Sequence, residues 1–266
     1  MIDEHALTVP AYVAGHDLLK GKSVLITAAA GVGIGFAAAR KAIEEGCRAI
    51  MISDIHERRL NEAAERLRAL GLGAEVHAQI CNVTKEDDVQ ALVDAAEDKL
   101  GGIDVLINNA GLGGFKSVTE MTDEEWSLVL DVTLTGTMRM TRAALKKMMP
   151  RKRGAIVNNA SVLGWRAQKG QSHYAAAKAG VMAFTRCSAV EAAEHGIRIN
   201  AVSPSIAMHD FLKKAAGAGE LEKLAAQEAF GRAAEVWEIA NVMMFLASDY
   251  AGYMVGEVVS VSSQRA

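Results

Sequence analysis

Cysteine and proline are scarce in this 266-residue sequence, which contains three residues of each. The three cysteines, Cys47, Cys81 and Cys187, are odd in number and widely spaced, which favours a reducing cytoplasm over a disulfide framework. No Cys/His cluster has zinc-ligand spacing, so we expect no metal site. No apolar run is long enough to span a bilayer, and the N-terminus lacks the apolar region of a signal peptide. We therefore expect a cytoplasmic protein without a membrane segment.

The sequence also lacks an excess of basic residues, since its net charge is −3. This balance argues against a general role in binding nucleic acid or a membrane surface, and the partner we expect is a small-molecule substrate. Hydrophobic residues make up 50% of the chain, enough for a sizeable core. No repeat, linker or break in composition divides the chain. We predict one domain over residues 21–266, preceded by an N-terminal extension over residues 1–20.

Short apolar runs alternate with amphipathic segments along the whole chain. We predict strands at 23–27, 49–53, 75–80, 105–107, 155–159, 198–202 and 255–261, and a loop that begins at Pro204. We predict helices at 36–45, 57–70, 86–100, 123–149, 172–195 and 234–248. Strands that alternate with helices form a parallel sheet covered on both faces. The predicted fold class is α/β, with a doubly wound parallel sheet.

Ser161, Tyr174 and Lys178 are the candidate catalytic residues. Ser161 follows the predicted strand at 155–159, and Tyr174 and Lys178 are four residues apart, so they lie on one face of a helix. A phenol is a poor acid or base at neutral pH, and a nearby ammonium favours the phenolate. We therefore expect Lys178 to lower the pKa of Tyr174. Ser161 is placed to donate a hydrogen bond to a substrate oxygen.

Gly31, Gly33 and Gly35 lie where the first predicted strand turns into the first helix. Glycines in this context let the backbone approach a pyrophosphate, which the helix N-terminus binds through its free N–H groups. Taken alone, these glycines are equally consistent with a tight turn that binds no ligand.

Asp54 ends the second predicted strand about twenty residues later, where a carboxylate can hold the ribose diol of adenosine. Such a carboxylate repels a 2′-phosphate, so NAD(H) is favoured over NADP(H). Arg58 and Arg59, just beyond the strand, act against this preference, and a helix-capping acid is the alternative interpretation of Asp54. N-N-A-G at 108–111 belongs at the same crevice or forms an ordinary Asn–Gly turn.

Together these motifs resemble those of the short-chain dehydrogenase/reductase family over nearly all of residues 20–263. The spacing of Ser161, Tyr174 and Lys178 supports the resemblance, as do N-N-A-G and the stretch R-I-N-A-V-S-P at 198–204. The resemblance implies a single-domain Rossmann fold and an NAD(P)-dependent oxidoreductase acting on CH–OH groups. It also implies a homo-oligomer, either a tetramer or a dimer.

The resemblance implies a role for each candidate residue. Tyr174 exchanges a proton with the substrate oxygen, Lys178 lowers its pKa and binds the nicotinamide ribose, and Ser161 polarises the carbonyl. Thr133 stands at the position of the family's fourth active-site residue, an asparagine. The implied cofactor contacts are Ala29, Gly31, Gly33, Ile34, Asp54, Asn82, Val83, Asn109, Ala110, Gly111, Tyr174, Lys178, Pro204, Ile206 and Ala207.

The sequence departs from the family pattern at four places. Ala28 replaces the first glycine of T-G-x-x-x-G-x-G, and that loop is one residue longer. Asn82 replaces an aspartate, and its amide oxygen can still accept a hydrogen bond from adenine. Thr133 replaces the asparagine that shapes a proton-relay water site, and its hydroxyl can bond a helix carbonyl. Pro204 is followed by Ser205 rather than by glycine.

Three residues are candidates for the substrate side: Trp165, Gln168 and Phe211. Trp165 is interpreted either as an apolar wall of the site or as a subunit contact. Phe211 belongs to an apolar pattern that either forms a lid over a bulky substrate or faces the core. The stretches N-N-A-S-V-L-G-W-R-A-Q and S-V-S-S-Q-R-A are similar to those of bacterial enzymes of steroid catabolism, which act on ring-fragment acyl-CoA substrates.

The leading hypothesis is an NAD(H)-dependent oxidoreductase that interconverts a secondary alcohol and a ketone on a bulky cyclic or steroid-derived acyl-CoA substrate. The first alternative is a 3-oxoacyl thioester reductase of fatty-acid type, which more often uses NADPH, so Asp54 argues against it. The second alternative, suggested by Thr133 and the altered loops, is a catalytically impaired NAD(H)-binding regulator. The presence of Ser161, Tyr174 and Lys178 argues against the regulator.

Overall fold

A parallel sheet of seven strands lies at the centre of the protein, which a computed structural model describes over residues 8–208 and 220–263. In chain order the strands are β1 (Ser23–Ile26), β2 (Ala49–Asp54), β3 (Glu75–Ile80), β4 (Val105–Asn108), β5 (Gly154–Asn159), β6 (Ile197–Pro204), β7 (Ala207–Met208), β8 (Ala234–Glu235) and β9 (Val258–Val261). Strands β7 and β8 pair separately. The spatial order of the others is β3-β2-β1-β4-β5-β6-β9, and each neighbouring pair is parallel.

Helices cover both faces of the sheet. They are α1 (Ile34–Glu44), α2 (Glu57–Arg68), α3 (Glu86–Leu100), α4 (Asp123–Leu130), α5 (Gly136–Met148), α6 (Ser172–Ala193), α7 (Glu220–Ala226) and α8 (Val236–Ala247). None of the helices in the two described ranges is long and apolar enough to cross a membrane. Val24 and Ile26 of β1 pack with α1, α2 and α8, whereas Leu25 packs with α3, α5 and α6. Because alternate residues of β1 enter different cores, the sheet is buried on both faces, and the predicted α/β Rossmann fold is confirmed.

The order of the strands reverses between β1 and β4, which lie side by side. Strands β2 and β3 extend from β1 in one direction, and β5 and β6 extend from β4 in the other. In an open α/β sheet, ligands bind beyond the carboxyl ends of the strands at such a reversal. The glycine loop (residues 27–35), the N-N-A-G stretch at 108–111 and Ser161 all follow these strand ends.

Several predicted elements differ from the structure. The helix predicted at 234–248 begins at Val236, because Ala234 and Glu235 form β8. The helix predicted at 123–149 is interrupted by a π-helical turn, Asp131–Thr135, which apolar periodicity does not reveal because it widens the helix by a single residue. Pro204 is the last residue of β6 and pairs with Val261, since a proline at a strand end removes only one ladder bond. The last strand begins later than predicted because Gly256 has a φ of +77°.

The described part of the N-terminal extension, residues 8–20, packs on α1 and α8. The hydroxyl of Tyr12 donates a hydrogen bond to Glu44, and its ring lies 5.3 Å from that of Trp237 in an edge-on arrangement. This segment is therefore anchored to the domain. Residues 1–7 lie outside the described residues.

Candidate active site

Ser161, Tyr174 and Lys178 come together beyond the carboxyl end of β5. Ser161 begins a short 3₁₀ turn, where its hydroxyl oxygen accepts a hydrogen bond of 3.2 Å from the N–H of Leu163. Tyr174 and Lys178 lie one turn apart on α6, and the Ser161 side chain is close enough to the phenol of Tyr174 to lower its pKa. The Nζ atom of Lys178 lies 5.6 Å from the centre of the Tyr174 ring.

Burial controls the protonation of Tyr174 and Lys178. Burial raises the pKa of Tyr174, and the hydrogen bond with Ser161 lowers it by a smaller amount. Burial also lowers the pKa of Lys178 to about 8. The pKa of Tyr174 is therefore raised overall and not lowered as expected beside Lys178, because removing the phenolate from water outweighs the effects that favour it. As pH rises, Lys178 is therefore the first of the two to lose its proton.

Thr133 and Gly111 border the ammonium of Lys178. A Cβ atom on Gly111 would lie 3.4 Å from the Lys178 Nζ and 3.7 Å from the Thr133 hydroxyl oxygen. That hydroxyl accepts a hydrogen bond of 3.0 Å from the N–H of Leu112 and donates one of 3.3 Å to its carbonyl. Thr133 thus bonds the loop after β4 rather than a helix carbonyl, because both Leu112 backbone groups are within its reach. The Thr133 carbonyl accepts from the Thr137 hydroxyl at 2.8 Å.

The glycine loop ends at the N-terminus of α1. Gly33 occupies the N-cap and has no side chain to bond the free N–H groups of the first turn, which begins at Ile34 and holds no acidic residue. Gly31 has a φ of +110°, which glycine adopts without strain. Ala29 is buried, and its N–H donates to the carbonyl of Ser53 at 3.0 Å. An anion at this terminus would meet unpaired N–H groups and the positive end of the helix dipole.

Ala28 and Asn109 connect the glycine loop to the end of β4. Ala28 has a φ of +51°, in the left-handed region, at the position where the family pattern has glycine. Its carbonyl accepts a hydrogen bond of 3.0 Å from Asn109 Nδ2, and a Cβ atom on Gly35 would come within 2.4 Å of both atoms. The N–H groups of Asn109 and Ala110 donate to the Thr27 hydroxyl at 3.0 and 3.1 Å. The N-N-A-G stretch is therefore a wall of the crevice and not an isolated turn.

Asp54 lies at the end of β2, against the glycine loop. Its carboxylate accepts hydrogen bonds from the N–H of Ala30 at 3.3 Å and the N–H of His56 at 3.0 Å. Burial raises the pKa of Asp54, while the Ala30 N–H and the charge of Arg59 lower it. The carboxylate is thus held beside the loop that the sequence predicts to bind a pyrophosphate.

Arg66, on α2, contacts the glycine loop, and the sequence pattern did not reveal this contact. Its Nη1 donates to the Gly31 carbonyl at 3.1 Å, and its guanidinium lies 4.1 Å from the centre of the Phe36 ring. Arg58, by contrast, pairs with Glu62 one turn along α2 at 2.6 Å. The contact of Arg66 depends on how α2 packs beside α1, and no local motif signals it.

Asn82 and Val83 follow β3, and both are predicted cofactor contacts. The hydrogen bonds of Asn82 do not fit its predicted role. The Asn82 amide oxygen accepts two hydrogen bonds from Thr84, at 3.1 Å from its N–H and 2.9 Å from its hydroxyl. The expectation that this oxygen accepts from adenine is therefore wrong, because both of its lone pairs are used in the turn. Val83 is buried against α5, where a Cβ atom on Gly136 would lie 2.8 Å from its side chain.

The segment after β6 is fixed at the same edge of the sheet. Pro204 pairs with Val261, the Ile206 carbonyl accepts from the N–H of Ala234 at 2.8 Å, and Ala207 is buried in β7. Because β6 pairs with β5, these three predicted cofactor contacts lie at the carboxyl ends of strands next to the one that leads into Ser161.

Two loops border the Tyr174 ring. The loop after β4 runs past it, where a Cβ atom on Gly113 would lie 3.7 Å from the ring. The loop between Ser161 and α6 joins the first loop through a hydrogen bond of 2.8 Å from the N–H of Lys116 to the carbonyl of Gly170. The two loops are therefore joined to each other beside the Tyr174 side chain.

Trp165 and Gln168 lie on the second of these loops. Trp165 is 53% exposed, so its ring is available to a substrate or to a neighbouring subunit. Gln168 is partly buried. Arg166, between them, lies 3.8 Å from the buried carboxylate of Glu228, which links the loop to the segment after α7. Phe211 lies outside the described residues.

Known proteins are similar to this chain in both sequence and fold. Residues 28–263 match a protein-family model described as enoyl-(acyl carrier protein) reductase. A (5R,7aS)-5-hydroxy-7a-methyl-1-oxo-2,3,5,6,7,7a-hexahydro-1H-indene-carboxyl-CoA reductase of Mycobacterium tuberculosis is 62% identical over 257 residues, which cover 96% of this chain and 97% of that protein. A 3-oxoacyl-[acyl-carrier-protein] reductase of Vibrio cholerae is 36% identical over 92% of this chain and 97% of its own length.

Two solved structures illustrate the likeness in three dimensions. A short chain dehydrogenase from Mycobacterium smegmatis superposes with a TM-score of 0.87 and 58% identity, over 98% of this chain and 100% of that one. An NAD⁺-bound xylitol dehydrogenase superposes with a TM-score of 0.84 and 29% identity, over 92% of this chain and 99% of that one.

Proposed function

The chain belongs to the short-chain dehydrogenase/reductase family of nicotinamide-dependent oxidoreductases, and we propose that it uses NAD(H) to interconvert a ring ketone and a secondary alcohol of an acyl-CoA substrate. The observation that carries the proposal is the close approach of the Ser161, Tyr174 and Lys178 side chains. These side chains lie at the same edge of the sheet as the glycine loop, which follows β1. A donor pair and a cation beside a cofactor crevice are what hydride transfer to a carbonyl requires.

The residues around the crevice fit a dinucleotide. The N-terminus of α1 offers free N–H groups to a pyrophosphate, and the close packing at Gly35 keeps the loop near the sheet. We assign the carboxylate of Asp54 to the ribose diol of adenosine and Lys178 to the nicotinamide ribose. The buried amide oxygen of Asn159 finds no hydrogen-bond partner in residues 8–208 and 220–263, so it can accept from a bound molecule.

We favour NAD(H) over NADP(H) because of Asp54. Its partly buried carboxylate is fixed by Ala30 and would repel a 2′-phosphate. Arg59 and Arg66 are the nearby cations that act in the opposite direction. The guanidinium of Arg66 already donates to the Gly31 carbonyl and stacks on the Phe36 ring. The charged group at the end of β2 itself is therefore the Asp54 carboxylate.

The chemistry of the site follows from its three donors. When bound, the nicotinamide supplies or accepts the hydride. In reduction, Tyr174 gives its phenolic proton to the ketone oxygen as negative charge develops there, and the Ser161 hydroxyl donates a second hydrogen bond to that oxygen. Protonated Lys178 stabilises the phenolate that remains. In oxidation the phenolate accepts the proton of the alcohol.

The substrate class is proposed from degree of similarity. The relative named for a bicyclic oxo-hexahydroindene carboxyl-CoA compound shares 62% of its residues with this chain over nearly the full length of both. The relative named for 3-oxoacyl-carrier substrates shares 36%. The higher overall identity favours the bicyclic acyl-CoA class, and the fatty-acid class is the alternative.

We also propose a homotetramer or homodimer in a reducing cytoplasm. Trp126 and Leu128 on α4 are 39% and 52% exposed, which is unusual for large apolar side chains on one helix and supports contact with another subunit. The three cysteines are free thiols, as a reducing compartment would keep them.

Two measurements on the wild-type protein test the proposal. The first is a binding titration with NADH and NADPH, and the second is an assay of turnover with a bicyclic keto acyl-CoA and with a 3-oxoacyl thioester. We expect tighter binding of NADH and a higher kcat/KM for the bicyclic ketone. Tighter NADPH binding would overturn the cofactor assignment, and preferred turnover of the linear thioester would favour the fatty-acid alternative.

A further inference from the structure

Asn159, the last residue of β5, contacts two parts of the site at once. Its side-chain Nδ2 donates a hydrogen bond of 2.9 Å to the Oδ1 atom of Asn109 on the neighbouring strand end. Its backbone carbonyl accepts a hydrogen bond from the Nζ atom of Lys178. No motif identified Asn159 in the sequence, because neither contact is local.

Asn109 continues this path to the glycine loop. While its Oδ1 accepts from Asn159, its Nδ2 donates to the carbonyl of Ala28 at 3.0 Å. Ala28 is the residue held in the left-handed conformation, with a φ of +51°. A continuous series of hydrogen bonds therefore runs from Lys178 through Asn159 and Asn109 to Ala28. Asn109 uses both ends of its side-chain amide, whereas Asn159 donates through its side chain and accepts from Lys178 through its backbone carbonyl.

We propose that Asn159 is a positioning residue that holds the carbonyl acceptor of Lys178 in place and couples it to the glycine loop through Asn109. The inference rests on the proposed function, since it assigns Asn159 a role in the same site. Without the Nδ2 donor, the end of β5 is no longer tied to β4 at this point. The carbonyl can then move away from Lys178, and Asn109 loses the bond that orients its amide toward the Ala28 carbonyl.

Asn158 offers a matched control one residue earlier. Its side chain is fully buried and bonds Asn108 and Thr185, both at 2.9 Å. These partners belong to the interior of the sheet and to α6, and do not include Asn109 or the Lys178 ammonium. Asn158→Ala removes an amide of the same size from the same strand, so it measures the structural cost alone.

The experiment compares Asn159→Ala with Asn158→Ala in the full-length protein. We expect both variants to unfold at lower temperature. Only Asn159→Ala should weaken NADH binding, by about fivefold or more, and lower the pKa of Lys178, because a hydrogen bond to the charged ammonium favours that form. The pH dependence of turnover reports this pKa, and an NMR titration of Lys178, assigned with Lys178→Arg, reports it without turnover. The double variant Asn109→Ala/Asn159→Ala should bind NADH almost as tightly as whichever single variant binds it less tightly, because both substitutions break the same series of hydrogen bonds.

Two results would overturn the inference. One is an Asn159→Ala protein whose NADH affinity and Lys178 titration match those of Asn158→Ala. The other is full additivity of Asn109→Ala and Asn159→Ala. In either case wild-type turnover would leave the proposed function intact. Failure of the wild type to bind NADH or to turn over a ketone would reject the proposed function, while the Lys178 titration would still decide whether Asn159 positions that side chain.

Discussion

The Nζ atom of Lys178 lies 5.6 Å from the centre of the Tyr174 ring, and Lys178 is buried while Tyr174 is half-buried. Burial acts oppositely on their two pKa values: it lowers that of Lys178 to about 8 and raises that of Tyr174. At neutral pH the site therefore holds a neutral phenol beside an ammonium that is close to titrating. This is a suitable protonation state for donating a proton to a ketone.

The pH dependence of ketone reduction should report Lys178. We expect kcat to fall as pH rises through about 8, because neutral Lys178 no longer stabilises the phenolate that reduction leaves on Tyr174. In Lys178→Arg the guanidinium stays charged, so the fall should move upward by more than ~1 pH unit, even with slower turnover. A pH profile measured under NADH saturation tests this. If the fall stays near pH 8 in the arginine variant, it belongs to another group.

Asp54 should determine the preference for NADH. Asp54→Asn removes the charge but keeps the shape, so we expect the Kd for NADH to rise and that for NADPH to fall, each by about tenfold. The control is Glu57→Gln, which removes an exposed acid at the start of α2. Fluorescence titration with both cofactors measures the change. An Asp54→Asn protein with the wild-type ratio of the two constants would contradict the role assigned to this carboxylate.

Ala28 should be strained in its left-handed conformation, which costs an alanine about 1 kcal/mol. Ala28→Gly removes that strain, but glycine also raises the conformational entropy of the unfolded chain, which offsets part of the stabilisation. We therefore expect an increase of ~0.5 kcal/mol in the free energy of unfolding. Ala30→Gly, in the same loop but outside the left-handed region, should instead destabilise the protein by about 0.5–1 kcal/mol. Denaturant titration of both variants measures the difference. Equal losses would show that Ala28 is not strained.

Alternation of short apolar runs with amphipathic segments was sufficient to predict the layers of the fold. The strand Glu75–Ile80 and the helix Glu86–Leu100 have the predicted bounds, since their patterns end at clear polar or glycine positions. The π-helical turn at Asp131–Thr135 was not predictable, because it adds only one residue to a segment whose apolar pattern reads as a single helix. Pro204 was placed in a loop because the pairing of its strand end is a tertiary property.

The site shows the same division between local and tertiary information. The spacing of Tyr174 and Lys178 predicts that they share a helix face, but their pKa values depend on burial that spacing does not encode. Arg66 and Asn159 reach the site through contacts with residues far away in sequence. Asn82 has a predicted role that a neighbour prevents, because Thr84 already occupies its amide oxygen.

The most direct test of the account is Tyr174→Phe, which removes one oxygen and leaves the ring. NADH affinity and turnover of the bicyclic keto acyl-CoA are measured on wild type and variant at pH 7. We predict a Kd for NADH within about twofold of wild type and a kcat lower by ~10²–10⁴-fold, the usual contribution of a positioned general acid. A Tyr174→Phe enzyme that retains full turnover would contradict the assignment of Tyr174 as the proton donor.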